Sequence, residues 1–211
     1  MDSKLNHFED LKTIKRIMEE SSRFLSLSGL SGLFAGVIAL IGGAVAFFVI
    51  LKSNSLSANE LFIRLSANET NLQKIQLILL AVLVLILAIG GALYFSFRRS
   101  RHLGLRIWTP ISKRLLLNFL VPLVTGGFFI IILYLNNLWL FIVPSMLIFY
   151  GLALVNAGKF TYSEVFYLGL IEIATGLISA ILPEYAIISW GFGFGLFHIL
   201  YGLIMYRRYE G

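Results

Sequence analysis

The sequence predicts an all-α, polytopic membrane protein with six transmembrane helices, a preceding amphipathic helix and both termini in the cytoplasm. Of its 211 residues, 58% are hydrophobic and 13% are charged, and the mean hydropathy is +0.87. Soluble domains carry about 25% charged residues, so this chain lacks the polar side chains that would cover a soluble core. Its apolar residues gather in six runs, each long enough to cross the hydrocarbon core, which takes about 20 helical residues. Its lysines and arginines collect in alternate loops, as they do on the cytoplasmic side of membrane proteins.

The segment 1–24 is predicted to form an amphipathic helix on the cytoplasmic membrane surface. Oppositely charged side chains four residues apart, such as Lys15 and Glu19, stabilise a helix of this kind. Packing of the helix against a partner protein is the alternative. The segment does not read as a cleavable signal peptide, because its charges are mixed and the apolar run after it is too long. Apolar residues recur in it at helical spacing, at Leu5, Phe8, Leu11, Ile14 and Met18.

Six apolar runs follow, and the residues between them determine how the helices connect. Asn136 and Asn137 divide the third run from the fourth, and Pro183 and Glu184 divide the fifth from the sixth. Both pairs are therefore predicted to form tight antiparallel hairpins. The runs make up a transmembrane domain of residues 25–206, and residues 207–211 form a short cytoplasmic tail. The six predicted spans are Leu25–Leu51, Ile75–Phe97, Leu115–Leu135, Leu138–Ala157, Tyr162–Leu182 and Tyr185–Tyr206.

The distribution of the 17 lysines and arginines predicts that both termini are cytoplasmic. Five of these bases lie in the N-terminal tail, six follow the second span, one follows the fourth and two end the chain. The segment that faces the opposite side holds Lys52, Arg64 and Lys74. Because lysine and arginine resist translocation, the side with 14 bases is expected to stay cytoplasmic.

The loop 98–114 holds six bases and no acid. These bases fix the topology and attract anionic lipid headgroups, each contributing about 1 kcal/mol near the surface. Docking of an acidic cytoplasmic partner is the second interpretation. The net charge of +6 does not indicate nucleic-acid binding, because that needs a basic face on a soluble fold. The candidate contacts for headgroups or a partner are Arg98, Arg99, Arg101 and Arg106.

Small residues form stripes along three of the spans. Membrane helices associate through close packing of small residues, so each stripe is expected to lie against another helix. For the first span, that helix belongs either to the same bundle or to a second copy in a homo-oligomer. The stripe residues are Gly29, Gly32, Gly36, Ala39, Gly43 and Ala46 in the first span, Gly169 and Gly176 in the fifth, and Gly191, Gly195 and Gly202 in the sixth.

Glu172 and His198 are ionisable side chains deep inside the fifth and sixth spans. Glu172 lies 12 residues before Glu184 in the connecting turn, and His198 lies 14 residues after it. The two side chains therefore have similar depths and are expected to meet across the hairpin, since a helix rises about 1.5 Å per residue. Intramembrane ionisable groups pair, neutralise or line a wet cavity. The pair is interpreted either as a hydrogen-bonded contact that fixes helix register or as a site for a proton, a cation or a polar ligand.

Four other polar side chains fall in the predicted cytoplasmic half of the spans. Asn118 lies near the start of the third span, Asn156 ends the fourth, and Tyr162 and Glu164 open the fifth. Together with Glu172 and His198 they are candidates to line a cavity open to the cytoplasm. The alternative is that they cap helix ends at the membrane interface.

Several chemistries are not expected from this sequence. The chain has no cysteine, and His198 is its sole histidine within a predicted span, so no metal, haem or other cofactor is predicted. Gly29-Leu30-Ser31-Gly32 has the Gly-x-Ser-Gly form that resembles rhomboid intramembrane proteases. In this chain, however, the serine lies in the first span rather than the fourth, and no histidine or asparagine accompanies it in the second. The protein is therefore not predicted to be an enzyme.

Three segments of the sequence resemble a group of small, uncharacterised six-span bacterial membrane proteins. They are Asn156–Tyr162 (NAGKFTY), Tyr167–Gly169 (YLG) and Gly193–Gly202 (GFGLFHILYG), and the likeness extends to Leu25–Gly32 (LSLSGLSG). The resemblance implies a location in the bacterial inner membrane. It implies no activity, since none is assigned to the group.

Two functional classes fit these observations. The first is a small-ligand or proton-coupled binding or transport module whose polar site surrounds Glu172 and His198. The second is a non-enzymatic membrane subunit or regulator that docks a cytoplasmic or membrane partner through the loop 98–114 and the N-terminal helix. A pH-dependent property lost in Glu172→Gln favours the first, and loss of a partner when the loop arginines are neutralised favours the second.

Overall fold

A computed structural model describes residue 24, residues 26 to 51 and residues 71 to 211 of the chain. The predicted N-terminal amphipathic helix lies outside the described residues except for Phe24 at its end. Most of the connection between the first and second spans also lies outside them.

The described residues fold into helices and contain no strand. Six helical stretches are long and apolar enough to cross a membrane, as predicted. The sixth is composite: a 3₁₀ turn, Pro183–Tyr185, leads into a short α-helix, then into a π-helix, Gly191–Phe197, and finally into a second α-helix. We call this composite element the sixth span. The α-helices are α1 Gly29–Leu51, α2 Asn71–His102, α3 Pro110–Leu135, α4 Ile142–Gly158, α5 Ser163–Ile181, α6 Ala186–Trp190 and α7 His198–Tyr209.

Two of the helices are longer than their apolar runs. The second helix continues through its arginines to His102, and the third begins at Pro110, five residues before the predicted start. Thr109 caps the third helix: its Oγ1 accepts a hydrogen bond from the N–H of Ser112, and the Ser112 Oγ accepts one from the N–H of Thr109. Proline at the first helical position suits this start, because the missing N–H has no helical partner there. These polar turns carry the helices beyond the apolar core.

The helices pack in a definite order around a four-span core. One side of α1 packs against α2 and the other against the sixth span. The sixth span in turn contacts α4 and α5, which pack closely together, and α3 packs against α4. As a result α2 and α3 lie at the periphery, where most of their large apolar side chains are exposed, as suits helices that face lipid. The core lies between α1, α4, α5 and the sixth span.

Glycines bring α1 and the sixth span into backbone contact. A Cβ on Gly202 would lie 2.4 Å from the backbone nitrogen of Leu33, and one on Gly29 would lie 2.5 Å from the carbonyl oxygen of Gly202. Two turns further along α1, a Cβ on Gly36 would lie 2.7 Å from the Gly195 carbonyl oxygen. This part of the first-span stripe therefore packs inside the bundle of one chain. The remaining stripe positions lie nearer to side chains: Gly32 against Tyr201, Gly43 against Trp190 and Gly191 at the edge of contact with Leu40.

A second glycine contact joins α4 and α5. A Cβ on Gly169 would lie 2.7 Å from the carbonyl oxygen of Gly151, and one on Gly151 would lie 2.6 Å from that of Gly169. Gly176 lies against Ile148 two turns further along. The fifth-span stripe thus packs on α4, through a glycine partner, Gly151, that had not been singled out in the sequence.

The start of α1 and the end of α7 meet at one end of the bundle. The Glu210 carboxylate accepts hydrogen bonds from the N–H of Gly29 and from the hydroxyl of Ser28. We call this end, which also holds the loop 98–114, the basic end. The opposite end, with the turns at Asn136–Asn137 and Pro183–Tyr185, we call the hairpin end. Asn137 adopts a left-handed conformation there, with φ of 58°, which asparagine tolerates better than most residues.

Candidate functional site

Glu172 of α5 and His198 of α7 meet in the core of the bundle. The imidazole Nδ1 lies 3.3 Å from Oε1 of the carboxyl group. The Glu172 residue is 0% exposed and His198 is 5% exposed. Both side chains are therefore held out of lipid, in the interior that the surrounding glycines bring close together.

The histidine ring is fixed by a partner at each nitrogen. Nδ1 lies 3.0 Å from the carbonyl oxygen of Gly193, and Nε2 lies 2.9 Å from the hydroxyl of Tyr150. A backbone carbonyl accepts hydrogen bonds and never donates them, so Nδ1 carries the hydrogen in the neutral ring and donates it to Gly193. Nε2 is then the acceptor for the Tyr150 hydroxyl. Protonation of Nε2 reverses the direction of that second bond.

The Glu172 carboxyl group has no hydrogen-bond partner for either oxygen among the described residues. Oε1 faces the imidazole, whose Nδ1 hydrogen is directed to Gly193, and Oε2 lies against Gly193, where a Cβ would be 2.6 Å away. A buried charge is costly unless it is paired. The pair is net neutral when it holds a single proton, either on the carboxyl group or as a second proton on the ring.

The π-helix Gly191–Phe197 places His198 in this position. It ends immediately before the histidine, and its Gly193 carbonyl contacts the ring. Leu147 and Glu172 lie within 3 Å of a Cβ added at Gly193, so a side chain there would displace one of them. π-Helices are rare and occur frequently at functional sites. Sequence reasoning missed this element, although the run Gly-Phe-Gly-Phe-Gly was a signal of unusual backbone geometry.

Aromatic rings pack beside the histidine. The ring centroid of Tyr150 lies 5.5 Å from that of His198, and the centroid of Phe194 lies 6.2 Å away. Trp190 packs on Phe194 at 4.7 Å and donates from Nε1 to the carbonyl of Ala39 in α1. The pair therefore lies among rings, with the Tyr150 hydroxyl as a further polar contact. Tyr150 was also missed in the sequence, where a tyrosine in the middle of a predicted span was the available signal.

The expectation that Asn118, Asn156 and Glu164 share a cavity with Glu172 does not match their placement. Two of them donate to carbonyls one turn back in their own helices, Asn118 to Arg114 and Asn156 to Leu152. Glu164 pairs with Arg208 at 2.7 Å, and it lies eight residues, or about 12 Å, along α5 from Glu172. Position along a helix does not determine which way a side chain points around it, and the sequence predicted position alone.

Arg99 is not a surface contact, contrary to the prediction for the loop arginines. Its side chain is 9% exposed, and Nη1 lies 2.6 Å from Glu210 Oε1 and 2.6 Å from the carbonyl of Leu27. Nη2 donates to the Tyr162 hydroxyl at 3.3 Å and to the backbone carbonyl of Tyr209. Arg99 therefore joins α2 to the start of α1 and the end of α7. The other three predicted arginines, Arg98, Arg101 and Arg106, are exposed.

Two buried hydroxyl groups near the pair have no hydrogen-bond partner among the described residues. Ser179 is 0% exposed and lies two turns from Glu172 along α5, toward the hairpin end. Tyr201 is 9% exposed and lies one turn from His198 along α7, toward the basic end. Within the described parts of the chain, no group of three or more His, Asp or Glu side chains could hold a metal ion.

The fold and the site define a class, a multi-pass helical membrane bundle with a buried carboxyl–imidazole pair at a π-helical break in its last span. No protein-family model, curated protein or solved structure matches this chain.

Proposed function

We propose that this protein is a proton-coupled binding or transport module of the membrane, with Glu172, His198 and Tyr150 as its proton site. The observation that carries the proposal is the Glu172 carboxyl group, fully buried, without a hydrogen-bond donor among the described residues, and 3.3 Å from a buried imidazole. A carboxyl group used only to fix helix register would be expected to have its oxygens hydrogen-bonded, as most buried polar atoms do.

The geometry supports coupling between a proton and a second charge. The pair is neutral with one proton, so adding or removing a proton leaves a net charge in a low-dielectric interior. A ligand or ion of opposite charge that binds beside the pair would offset that charge. Binding and protonation are then linked, because each makes the other more favourable. Interacting groups of this kind titrate as a unit rather than as two independent residues.

The site is best tested by infrared spectroscopy of the purified protein across a pH series. We expect a carbonyl band of a buried, protonated carboxyl group that changes with pH and disappears in Glu172→Gln. His198→Ala should alter the pH dependence of the same band, because the two groups share a proton. Glu164→Gln is the matched control, since Glu164 is a carboxylate of the same helix that pairs with Arg208. Identical pH-difference spectra for wild type and Glu172→Gln would overturn the proposal.

Transport is tested separately in liposomes. Protein reconstituted into vesicles that hold a pH-sensitive dye should increase the response of the internal pH to an external acid pulse. Glu172→Gln should remove that increase, whereas Glu164→Gln should keep it. A pH-dependent carboxyl band without any proton flux supports a binding module rather than a transporter.

A second candidate function is a membrane subunit or regulator that docks an acidic partner at the basic end. It is favoured by the exposed side chains of Arg98, Arg101 and Arg106, together with Trp108, which is 67% exposed. Replacing the three arginines with glutamine should release a co-purifying partner, and Glu172→Gln should leave it bound. The reverse pattern would exclude docking through this loop.

We further propose that the basic end faces the cytoplasm and that the membrane is a bacterial inner membrane. The first part is supported by the distribution of lysine and arginine along the chain. The second is supported by the resemblance of Asn156–Tyr162 and Gly193–Gly202 to small bacterial membrane proteins.

A further inference from the structure

The hydroxyl of Tyr201 is a buried polar group that packing does not require. The residue is 9% exposed, and its hydroxyl has no hydrogen-bond partner among the described residues. Leaving a buried hydroxyl unpaired costs about 1–3 kcal/mol. The ring packs in a cluster with Leu154, Leu168 and Met205, where phenylalanine would make the same apolar contacts without that cost. The hydroxyl therefore calls for an explanation other than stability.

The Tyr201 ring is held in place by α1. A Cβ on Gly32 would lie 2.8 Å from Cδ1 of the ring, so the glycine leaves the space that the ring fills. On the other side, the ring belongs to the same buried cluster as Tyr162, and Tyr150 packs against that cluster. Tyr201 is thus held against α1 and packs in one cluster with two other tyrosines.

Those two tyrosines lead in opposite directions along the bundle. Tyr150 contacts Nε2 of His198 at 2.9 Å and so connects to Glu172. Tyr162 accepts a hydrogen bond from Arg99, which pairs with Glu210 at the basic end. A tyrosine hydroxyl both donates and accepts hydrogen bonds, so Tyr162 can connect to a group on each side. Tyr201, three residues beyond His198 along α7, shares a buried cluster with Tyr162, and Tyr150 packs against that cluster.

The Arg99 and Glu164 side chains act electrostatically on the Tyr201 hydroxyl, and their ion pairs with Glu210 and Arg208 lie at the basic end. The residue of α1 that faces the Tyr201 ring, Gly32, carries no charge. A neutral hydroxyl that packs near both a charged cluster and a buried proton site suits proton transfer. The titratable and charged side chains around it are Arg99 of α2, Tyr150 of α4, Tyr162 and Glu164 at the start of α5, and His198 of α7.

We propose that the Tyr201 hydroxyl, with bound water, passes protons between the Arg99–Tyr162 cluster at the basic end and the Tyr150–His198–Glu172 site. In each transfer the hydroxyl accepts a hydrogen on one side and gives its own to the acceptor on the other, so tyrosine ends each step neutral. This inference rests on the proposed proton site at Glu172 and assigns the route by which that site reaches the basic end.

The test separates the rate of protonation from its equilibrium. Wild type, Tyr201→Phe and Tyr206→Phe are reconstituted in membranes, and the Glu172 carboxyl band is followed first in a pH titration and then after a rapid pH jump. We expect Tyr201→Phe to keep the titration and to slow the response at least about tenfold, equivalent to about 1.4 kcal/mol in the barrier. Tyr206→Phe, at an exposed position of the same helix, should behave as wild type. The thermal stability of Tyr201→Phe should be unchanged or higher, because the lost hydroxyl had no partner.

The possible results distinguish the two proposals. A wild-type rate in Tyr201→Phe overturns the proton route but leaves the proton site intact. A wild-type protein whose Glu172 band does not respond to pH overturns the proton site, and the route with it. A titration that shifts together with a loss of thermal stability in Tyr201→Phe overturns the route, since the residue would then be structural. Tyr162→Phe is a second variant, expected to slow the response without altering the titration.

Discussion

Two buried ionisable side chains of this protein, Arg99 and Glu172, have very different surroundings. The Arg99 guanidinium has a carboxylate at 2.6 Å and three further oxygen acceptors. The Glu172 carboxyl group has an imidazole at 3.3 Å and no hydrogen-bond partner in the described structure. A polar group with all its hydrogen bonds made holds elements together, whereas a buried one without partners is retained at a cost in stability. This contrast indicates a structural role for Arg99 and is consistent with the proposed role of Glu172 in a proton site.

The structural role of Arg99 leads to a prediction about stability. Arg99→Ala should destabilise the protein by about 3 kcal/mol, because it leaves the Glu210 carboxylate largely buried without its partner. Thermal unfolding of the purified protein in detergent measures the loss. Arg208→Ala is the control. Arg208 also contacts a carboxylate, that of Glu164 at 2.7 Å, but its side chain is 65% exposed. We therefore expect a loss of stability of less than about 1 kcal/mol. Equal losses in the two variants would contradict the structural role of Arg99.

Gly193 gives a second prediction at the scale of single residues. In Gly193→Ala the new methyl group would lie 2.6 Å from Glu172 Oε2 and 2.4 Å from Leu147 Cδ2, so one of these side chains must move. We expect a changed pH response of the Glu172 carboxyl band and a stability loss of about 1–3 kcal/mol, typical of overpacking. Gly127→Ala is the matched control, since nothing lies within 4 Å of a Cβ there. An unchanged band in Gly193→Ala would show that Glu172 does not depend on this contact.

The sixth span illustrates what an individual element contributes. It is one apolar run in the sequence but four helical segments in the structure, with the π-helix Gly191–Phe197 between the two α-helical ones. The π-helical segment turns its glycines toward α1 on one side and toward Glu172 on the other. One element therefore makes both a backbone contact with α1 and the candidate site. A regular α-helix over the same residues would place His198 at a different angle around the axis.

The contact between α1 and the sixth span yields a prediction for the Gly202→Ala variant. The added Cβ would lie 2.4 Å from the Leu33 nitrogen and 2.6 Å from the Gly29 carbonyl oxygen, and both are backbone atoms that cannot rotate away. The two helices must therefore separate, and we expect a lower melting temperature and about 1–3 kcal/mol less stability. Gly90→Ala in α2, with nothing within 4 Å of its Cβ, should leave the melting temperature unchanged or slightly raised, since alanine favours helix. A Gly202→Ala protein as stable as Gly90→Ala would contradict the close packing.

Much of the architecture follows from the sequence because the membrane constrains it strongly. The lengths of the apolar runs predicted all six helices that are able to cross a membrane. The similar distances of Glu172 and His198 from the connecting turn predicted that the two side chains meet. The predicted end of α2 came too early and the predicted start of α3 came too late, because polar turns extend each helix beyond its apolar run. The Arg99–Glu210 pair joins residues 111 positions apart, and the side that an asparagine faces depends on helix rotation. Both are tertiary properties that spacing along the chain does not carry.

The orientation of the whole molecule is the last prediction, and the absence of cysteine from the sequence makes it directly testable. Leu103→Cys at the basic end and Leu138→Cys at the hairpin end form a matched pair, since the two leucines are 49% and 45% exposed. If the basic end is cytoplasmic, a membrane-impermeant maleimide added to intact cells should label Leu138→Cys and not Leu103→Cys, and permeabilised cells should show both. The expectation holds although Arg99 is buried in the folded protein, because lysine and arginine act on topology during insertion, before the helices pack. Labelling of Leu103→Cys alone in intact cells would reverse the orientation, and equal labelling of both would show two orientations in one population.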